Sequence, residues 1–437
     1  MAVTNAIAPA IAPTPTVIAT RVLLNPLNLN NYPKSVGISC AKNVCISQAF
    51  FATPNSLTMK YFLHCLFITF LLASCTSEEA PVTEKIVLRN IQFHELNIDT
   101  LLVEPPARSG SGFFRLSGNN LYFFDDIFLT VSVFDTAGNF VQRYLGKGHR
   151  PDEIEDFLFA NFLADSSLVF LGKSYNISRY DQQFTAQYQV DMDWNRKANI
   201  QYGLSDGDKT GTYGYNYYNG FYDNRWLSVI HQNKLIIPIW ISPGVNSRLN
   251  AFRNYEAYYE RAKTVGVVDL RSGKVEKIFG RRSPAYKKYG AIPNYDFLTL
   301  DSRLDSIYVS QAIDSMIQVY GPDYELAYEF GVAGQNMNTS YPTAATPMES
   351  EKIWIKAFTD YGYYYNVYCD RTSAMIFRPY TKDESNIGGL QIYEHAALIA
   401  DVAVPKRFNI IGKIGEYYYA DGLVNEDQLG LYRFKLP

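Results

Sequence analysis

The sequence predicts an all-β fold: a six-bladed β-propeller, closed by pairing an N-terminal strand with the last blade. Three observations lead there. From Lys85 onward, short apolar runs are separated by Gly, Asn, Asp and Ser, and no stretch has the periodicity of an amphipathic helix. A strand–tight turn–strand element recurs along the chain, with an apolar hairpin ahead of each copy. The final unit is one strand short, while a spare strand, Lys85 to His94, stands at the front. Joining the two completes the ring and leaves only short edges. A two-domain β-sandwich is the alternative, but it gives no reason for a missing last strand matched by a spare first one.

The clearest turn element runs from Val131 to Gly146 and turns at Asp135 and Gly138. Further copies are Ile177 to Phe184 around Asp181, Val265 to Gly280 around Asp269 and Gly273, Met316 to Gly331, and Tyr365 to Phe377 around Asp370. Asp accepts from nearby backbone amides and Gly tolerates positive φ, so turn chemistry alone accounts for both. The hairpins ahead of them pair Phe113–Leu116 with Leu121–Phe124, Phe159–Leu163 with Leu168–Leu171, and Trp226–Ile230 with Leu235–Trp240. Phe297–Leu300 with Ile307–Val309 follows, then Ile353–Ile355, which reads as a second strand without an evident partner. A sixth hairpin, Phe408–Ile411 with Tyr417–Tyr419, precedes a last strand, Leu431 to Leu436. Cys75 to Pro437 is 363 residues. That allows about 60 per unit, enough for a blade plus insertions.

The amino terminus carries an address. Residues 1–58 contain no Asp or Glu and no steady periodicity, as expected of a spurious or disordered extension. Residues 59–74 then read as a signal peptide. Lys60 supplies the positive start, and Tyr61 to Leu72 is an apolar run too short to span a bilayer. Ala73 and Ser74 lead into Cys75, the order of a bacterial lipobox, in which the cysteine takes the lipid. Residues 75–84 form a polar tether, and 85–437 form the propeller. The expected location is the bacterial outer membrane, with surface exposure hinted at by Glu78 and Glu79. Of five cysteines, Cys40 and Cys45 lie in the extension and Cys65 in the signal, which leaves Cys369 and the acylated Cys75. No intrachain disulfide is then available.

The lipobox, the short tether and the strand pairs turning at Asp and Gly resemble the six-bladed propeller lipoproteins of Bacteroidota, related in architecture to NHL and TolB-like propellers. The likeness spans roughly Lys85 to Pro437. It implies architecture and address and carries no catalytic residues, since fold is a poor guide to chemistry.

A net charge of −3 argues against a nucleic-acid partner, which would demand a basic excess. The membrane is reached through the lipid anchor. The informative excess is 35 Tyr and 27 Phe. In a four-stranded meander, the second-to-third loops and the blade connections share one end, and the tight turns share the other. Two insertions fall on the first of these ends, Asp191 to Asn224 and Ser242 to Lys263. They and their flanks hold Tyr215, Tyr217, Tyr218, Tyr222, Trp226, Tyr255 and Tyr258, a candidate glycan, peptide or envelope-protein surface. Local packing of the same rings is the competing reading. Charged connections on that end add His149 and Arg150, then Arg281, Arg282, Tyr286 and Lys287 as candidate anion contacts.

Catalytic signals are thin. The five histidines form no zinc motif, His231 falls in an inner strand, and neither a nucleophile elbow nor a phosphate loop is present. Asp191 and Asp193 lack the other ligands of a calcium loop. No metal site and no cofactor are therefore expected. The leading expectation is a binding or scaffolding module. A polysaccharide or peptide hydrolase or lyase is the alternative, and it requires a carboxylate or His beside a cation at the central funnel.

Overall fold

The computed structural model describes residues 84–193, 215–217, 225, 227–241, 249–425 and 427–437. The chain divides into two units, Met1–Glu78 and Glu79–Pro437, and all described residues belong to the second. The extension, the signal peptide and Cys75 therefore lie outside the described residues, as do Tyr218, Tyr222 and Trp226.

Six antiparallel sheets follow one another as the blades of a propeller. Their inner strands are Gly112–Ser117, Phe159–Phe162, Val229–His231, Leu298–Arg303, Tyr368–Cys369 and Asn409–Ile414. Sequence character follows position within a blade. The second strand of the second blade, Leu168–Leu171, is buried throughout because neighbouring blades cover both its faces. The outer strand Ala186–Asp191 alternates between exposed and half-buried residues, since one face meets water. The core is a ring of apolar wedges between adjacent blades rather than a single centre. Phe113, Phe124 and Phe170 fill the wedge between the first two blades, and Phe377, Phe408 and Phe434 that between the last two.

The N-terminal strands differ from the sequence expectation. β1 (Glu84–Ile86) adds in parallel to the outer edge of the fourth blade, opposite Tyr328 to Phe330. β2 (Leu88–Arg89) does the same on the fifth, opposite Ala397 and Leu398. The strand that completes the sixth sheet is β3 (Ile98–Leu102), antiparallel to Leu429–Phe434, with Leu101 opposite Leu431. Lys85 to His94 is thus a belt and not the partner of the last strand. Ile86, at the end of β1, packs between the fourth and fifth blades, and Phe93 between the fifth and sixth.

The fifth blade is also shifted from its reading. Tyr365 to Phe377 holds the inner strand and the start of the second, and the two outer strands are Ile387–Glu394 and Ala397–Pro405. Ile353 to Ile355 lies in a helix. Two α-helices occur among the described residues, α1 (Tyr255–Arg261) and α2 (Pro347–Thr359). The α2 start is written locally: Thr346 accepts from the Glu349 N–H at 3.2 Å, and Pro347 occupies the first turn.

Both insertions fall where the topology requires. Residues 192–228 connect the second blade to the third, and 242–264 join the second and third strands of the third blade. Within the first, Tyr215–Tyr217 forms a short strand opposite Ile239 to Ile241.

Candidate functional site

The end carrying the insertions is built, over the third to fifth blades, as an aromatic cap. Tyr258 and Tyr259 of α1, Tyr286, Tyr295, Tyr341, Tyr363 and Tyr365 are buried together. Their hydroxyls do structural work, satisfying groups that irregular loops would otherwise bury unpaired. The Tyr286 hydroxyl donates to the Tyr295 carbonyl at 2.6 Å, and the Tyr295 hydroxyl to the Ala357 carbonyl at 2.8 Å. Tyr365 accepts from the Phe408 N–H at 2.9 Å. Burial pushes all these phenols up, so they stay protonated.

This packing revises the candidate surface. Tyr258 and Tyr286 are buried, and Tyr255 is half-buried against the same cluster. Arg282 is sealed beneath them, 2.8 Å from Asp296, with its guanidinium over the rings of Tyr258 and Tyr286. Burial alone would push that guanidinium down. The Asp296 carboxylate, together with Tyr258, Tyr286 and Tyr259 around it, more than offsets burial and holds it up. Every other charged candidate already has a carboxylate beside it. His149 meets Glu155 at 2.7 Å, Arg150 meets Glu153 at 3.1 Å, Arg281 meets Glu329 at 3.8 Å and Lys287 meets Glu260 at 3.6 Å. Tyr215 and Tyr217 lie together on the short strand, while Tyr218, Tyr222 and Trp226 fall outside the described residues.

A cavity lies elsewhere, in the centre of the ring. It is a channel of about 540 Å³, lined by all six blades and bounded by the first-to-second-strand turns at Gly118, Ser166, Thr372 and Gly415. These turns sit at the end opposite the insertions. Arg115 reaches from the first blade to the Ala160 carbonyl at 3.1 Å and also to the Arg225 carbonyl, which ties the first two blades to the connection that leads into the third. Asn161, Ser228 and Asn366 add amide and hydroxyl groups to the wall.

Asp301 is the buried carboxylate of this channel. It accepts the Ser302 N–H at 2.7 Å and the Cys369 N–H of the next blade. Burial pushes it up to about 6; the Cys369 N–H and the Arg371 charge offset this in part. Asp370 also lines the channel, but Thr372, Ser373 and Tyr418 occupy its oxygens and hold it below the usual carboxylate range. His231 ends the third inner strand and is buried, and burial lowers its pKa.

Two exposed cations border the channel where the turns open it. Arg371 follows the fifth inner strand, and Lys413 lies near the end of the sixth. Neither lies within ion-pairing distance of a carboxylate among the described residues. Lys413 rests over the Tyr418 ring at 4.9 Å. Nearby Glu416 is taken by Lys435 at 2.6 Å. This site was not legible in the sequence because its residues are scattered over all six blades, with no motif. The available signal was the polar residues in or just after inner strands, Asn161, Asp301 and Arg371. Among the described residues, no group of three His, Cys, Asp or Glu is arranged to hold a metal. No helix among them is long and apolar enough to cross a membrane.

No family model matches the sequence, and no curated protein matches it. Among solved structures, the chain is similar to a member of the DUF4221 family from Bacteroides vulgatus. The identity is 10%, 78% of this chain and 96% of that one are covered, and the TM-score is 0.54. It also aligns with a candidate exported protein from Bacteroides fragilis, at 12% identity over 80% of this chain and 98% of that one, with a TM-score of 0.49. The first likeness concerns the fold alone.

Proposed function

We propose that this chain is an exported, lipid-anchored binding propeller that takes a small polar ligand in its central channel. The observation that carries this reading is the channel itself: a polar cavity of about 540 Å³ with Arg371 and Lys413 at its opening, neither of them ion-paired among the described residues. At the other end, the described cationic candidates are already paired and the described tyrosines of the cap are packed. Such a cavity falls in the range of small-molecule sites. The address rests on Lys60, the apolar run to Leu72 and Cys75.

One observation favours a second, hydrolytic reading: Asp301 shares the channel with Arg371, a carboxylate near a cation. Glycoside hydrolysis asks for a pair of working carboxylates. The only other carboxylate lining the channel among the described residues is Asp370, which is tied up in its own turn. Binding is therefore the better-supported function.

The test is a thermal-shift screen of small sugars, amino acids and peptides on the full chain and on Ser117→Trp, which sets an indole at the channel opening. A shift seen with the native chain and lost in the variant supports the reading. A shift identical in both moves the site elsewhere. For the address, Cys75→Ala should abolish incorporation of labelled palmitate and leave the protein either soluble in the periplasm or tied by an uncleaved signal. Unchanged labelling would refute the anchor.

A further inference from the structure

We infer that the channel recognises a hydroxyl-rich acid, a sugar bearing a carboxylate, with the carboxylate at Arg371 and Lys413 and the hydroxyls directed inward to Asn161, Asn366 and Asp301. This rests on the channel being the binding site, and it names the ligand class.

The argument begins with charge. Three cations line the channel, Arg115, Arg371 and Lys413, against two carboxylates, Asp301 and Asp370. The balance is one positive charge, which suits a monoanion better than a phosphate dianion. Its distribution is uneven. Arg115 is buried, and its guanidinium is spent on the carbonyls of Phe114, Ala160 and Arg225. Asp370 is spent on its turn. What a ligand meets is two exposed cations at the opening and one carboxylate deeper in.

Geometry adds to this. Arg371 and Lys413 come from adjacent blades, so an anion between them is gripped from two sides, Arg offering a planar fork and Lys a point charge. Beside them at the opening is the Ser117 hydroxyl, and further along the wall are amides at Asn161 and Asn366, the Ser228 hydroxyl and the acceptor Asp301. Hydroxyls that both donate and accept satisfy such a wall, whereas an apolar ligand would leave it unpaired. A volume near 540 Å³ has room for a sugar of one or two rings.

The test is calorimetric titration of the full chain with lactobionate, its methyl ester and lactose, at two salt concentrations. The acid should bind, weaken as salt rises, and exceed the ester and lactose by about 10-fold or more. Arg371→Ala and Lys413→Ala should each weaken the acid roughly 5- to 10-fold, while Lys352→Ala, on the exposed face of α2, should not. The variants should unfold at the same temperature as the native chain. Equal binding of acid, ester and lactose, abolished by Ser117→Trp, would overturn the inference and leave the channel reading standing. Acid binding untouched by Ser117→Trp would overturn both. Silence from all three sugars overturns the inference, and so does displacement by inorganic phosphate at equal concentration, which would mean that charge alone is read.

Discussion

Asp301 shows how a ring of sheets can hold a carboxylate at a cost. Its folded pKa, raised to about 6, means the unfolded chain releases the proton first as pH rises. Its contribution to stability is therefore complete below about pH 4 and lost by about pH 6. A shift of roughly two units corresponds to about 3 kcal/mol. Asp301→Asn does not titrate, so its stability relative to the native chain should improve by about 3 kcal/mol between pH 4 and pH 7. Urea unfolding at the two pH values measures this, and a constant difference would contradict it. The Arg282–Asp296 pair makes the opposite point, since a buried charge is tolerable only with its partner. Asp296→Ala should cost roughly 3–5 kcal/mol, and the double replacement Arg282→Met with Asp296→Leu should cost less. A double variant as unstable as the single one would show that the pair itself stabilises the cap.

At the scale of the element, the tight turns follow their glycines unequally. Gly273, with φ of 69°, turns between the two outer strands of the third blade. A Cβ there would fall 2.1 Å from the Asp191 carbonyl oxygen. The Gly273 carbonyl itself accepts from the Asp193 N–H at 2.8 Å. Gly118 has a similar φ of 56° but open space around it. Gly118→Ala should therefore cost about 1–2 kcal/mol, the backbone penalty alone. Gly273→Ala should cost clearly more, because backbone must also move. Chemical unfolding of the two variants decides the matter, and equal losses would dismiss the steric argument. Helix α2 follows its cap, and Thr346→Ala should lose about 1 kcal/mol.

At the scale of the whole molecule, β1 and β2 fasten blades that already have four strands, whereas β3 supplies a fourth strand that the sixth blade lacks. A chain starting at Phe93 should fold with reduced stability, having lost the Lys85–Glu329 ion pair and the packing of Ile86. A chain starting at Val103 loses β3 and the burial of Leu101 against Leu431, and should show no cooperative thermal transition. Cooperative unfolding of the shorter chain would deny β3 its role in the sixth blade.

Local chemistry made much of this legible in advance. Apolar runs marked most inner strands, the turns at Asp135, Asp181 and Asp269 marked outer pairs, and counting strands placed both insertions on one end. The missed helix α2 was also written locally, in Thr346, Pro347 and Glu349, but its Ile-Trp-Ile core imitated a strand. Three matters were decided by the tertiary structure alone. Lys85–Phe93 and Ile98–Leu102 are both apolar enough to complete a sheet, and only the ring's closing geometry chooses between them. Arg281, Arg282 and Lys287 read as free cations until the fold brings up Glu329, Asp296 and Glu260. The channel draws its wall from residues between Arg115 and Gly415, so it exists only once six distant inner strands share one axis. Strand and turn formation depend on neighbours in the chain, whereas pairing and burial depend on neighbours in space.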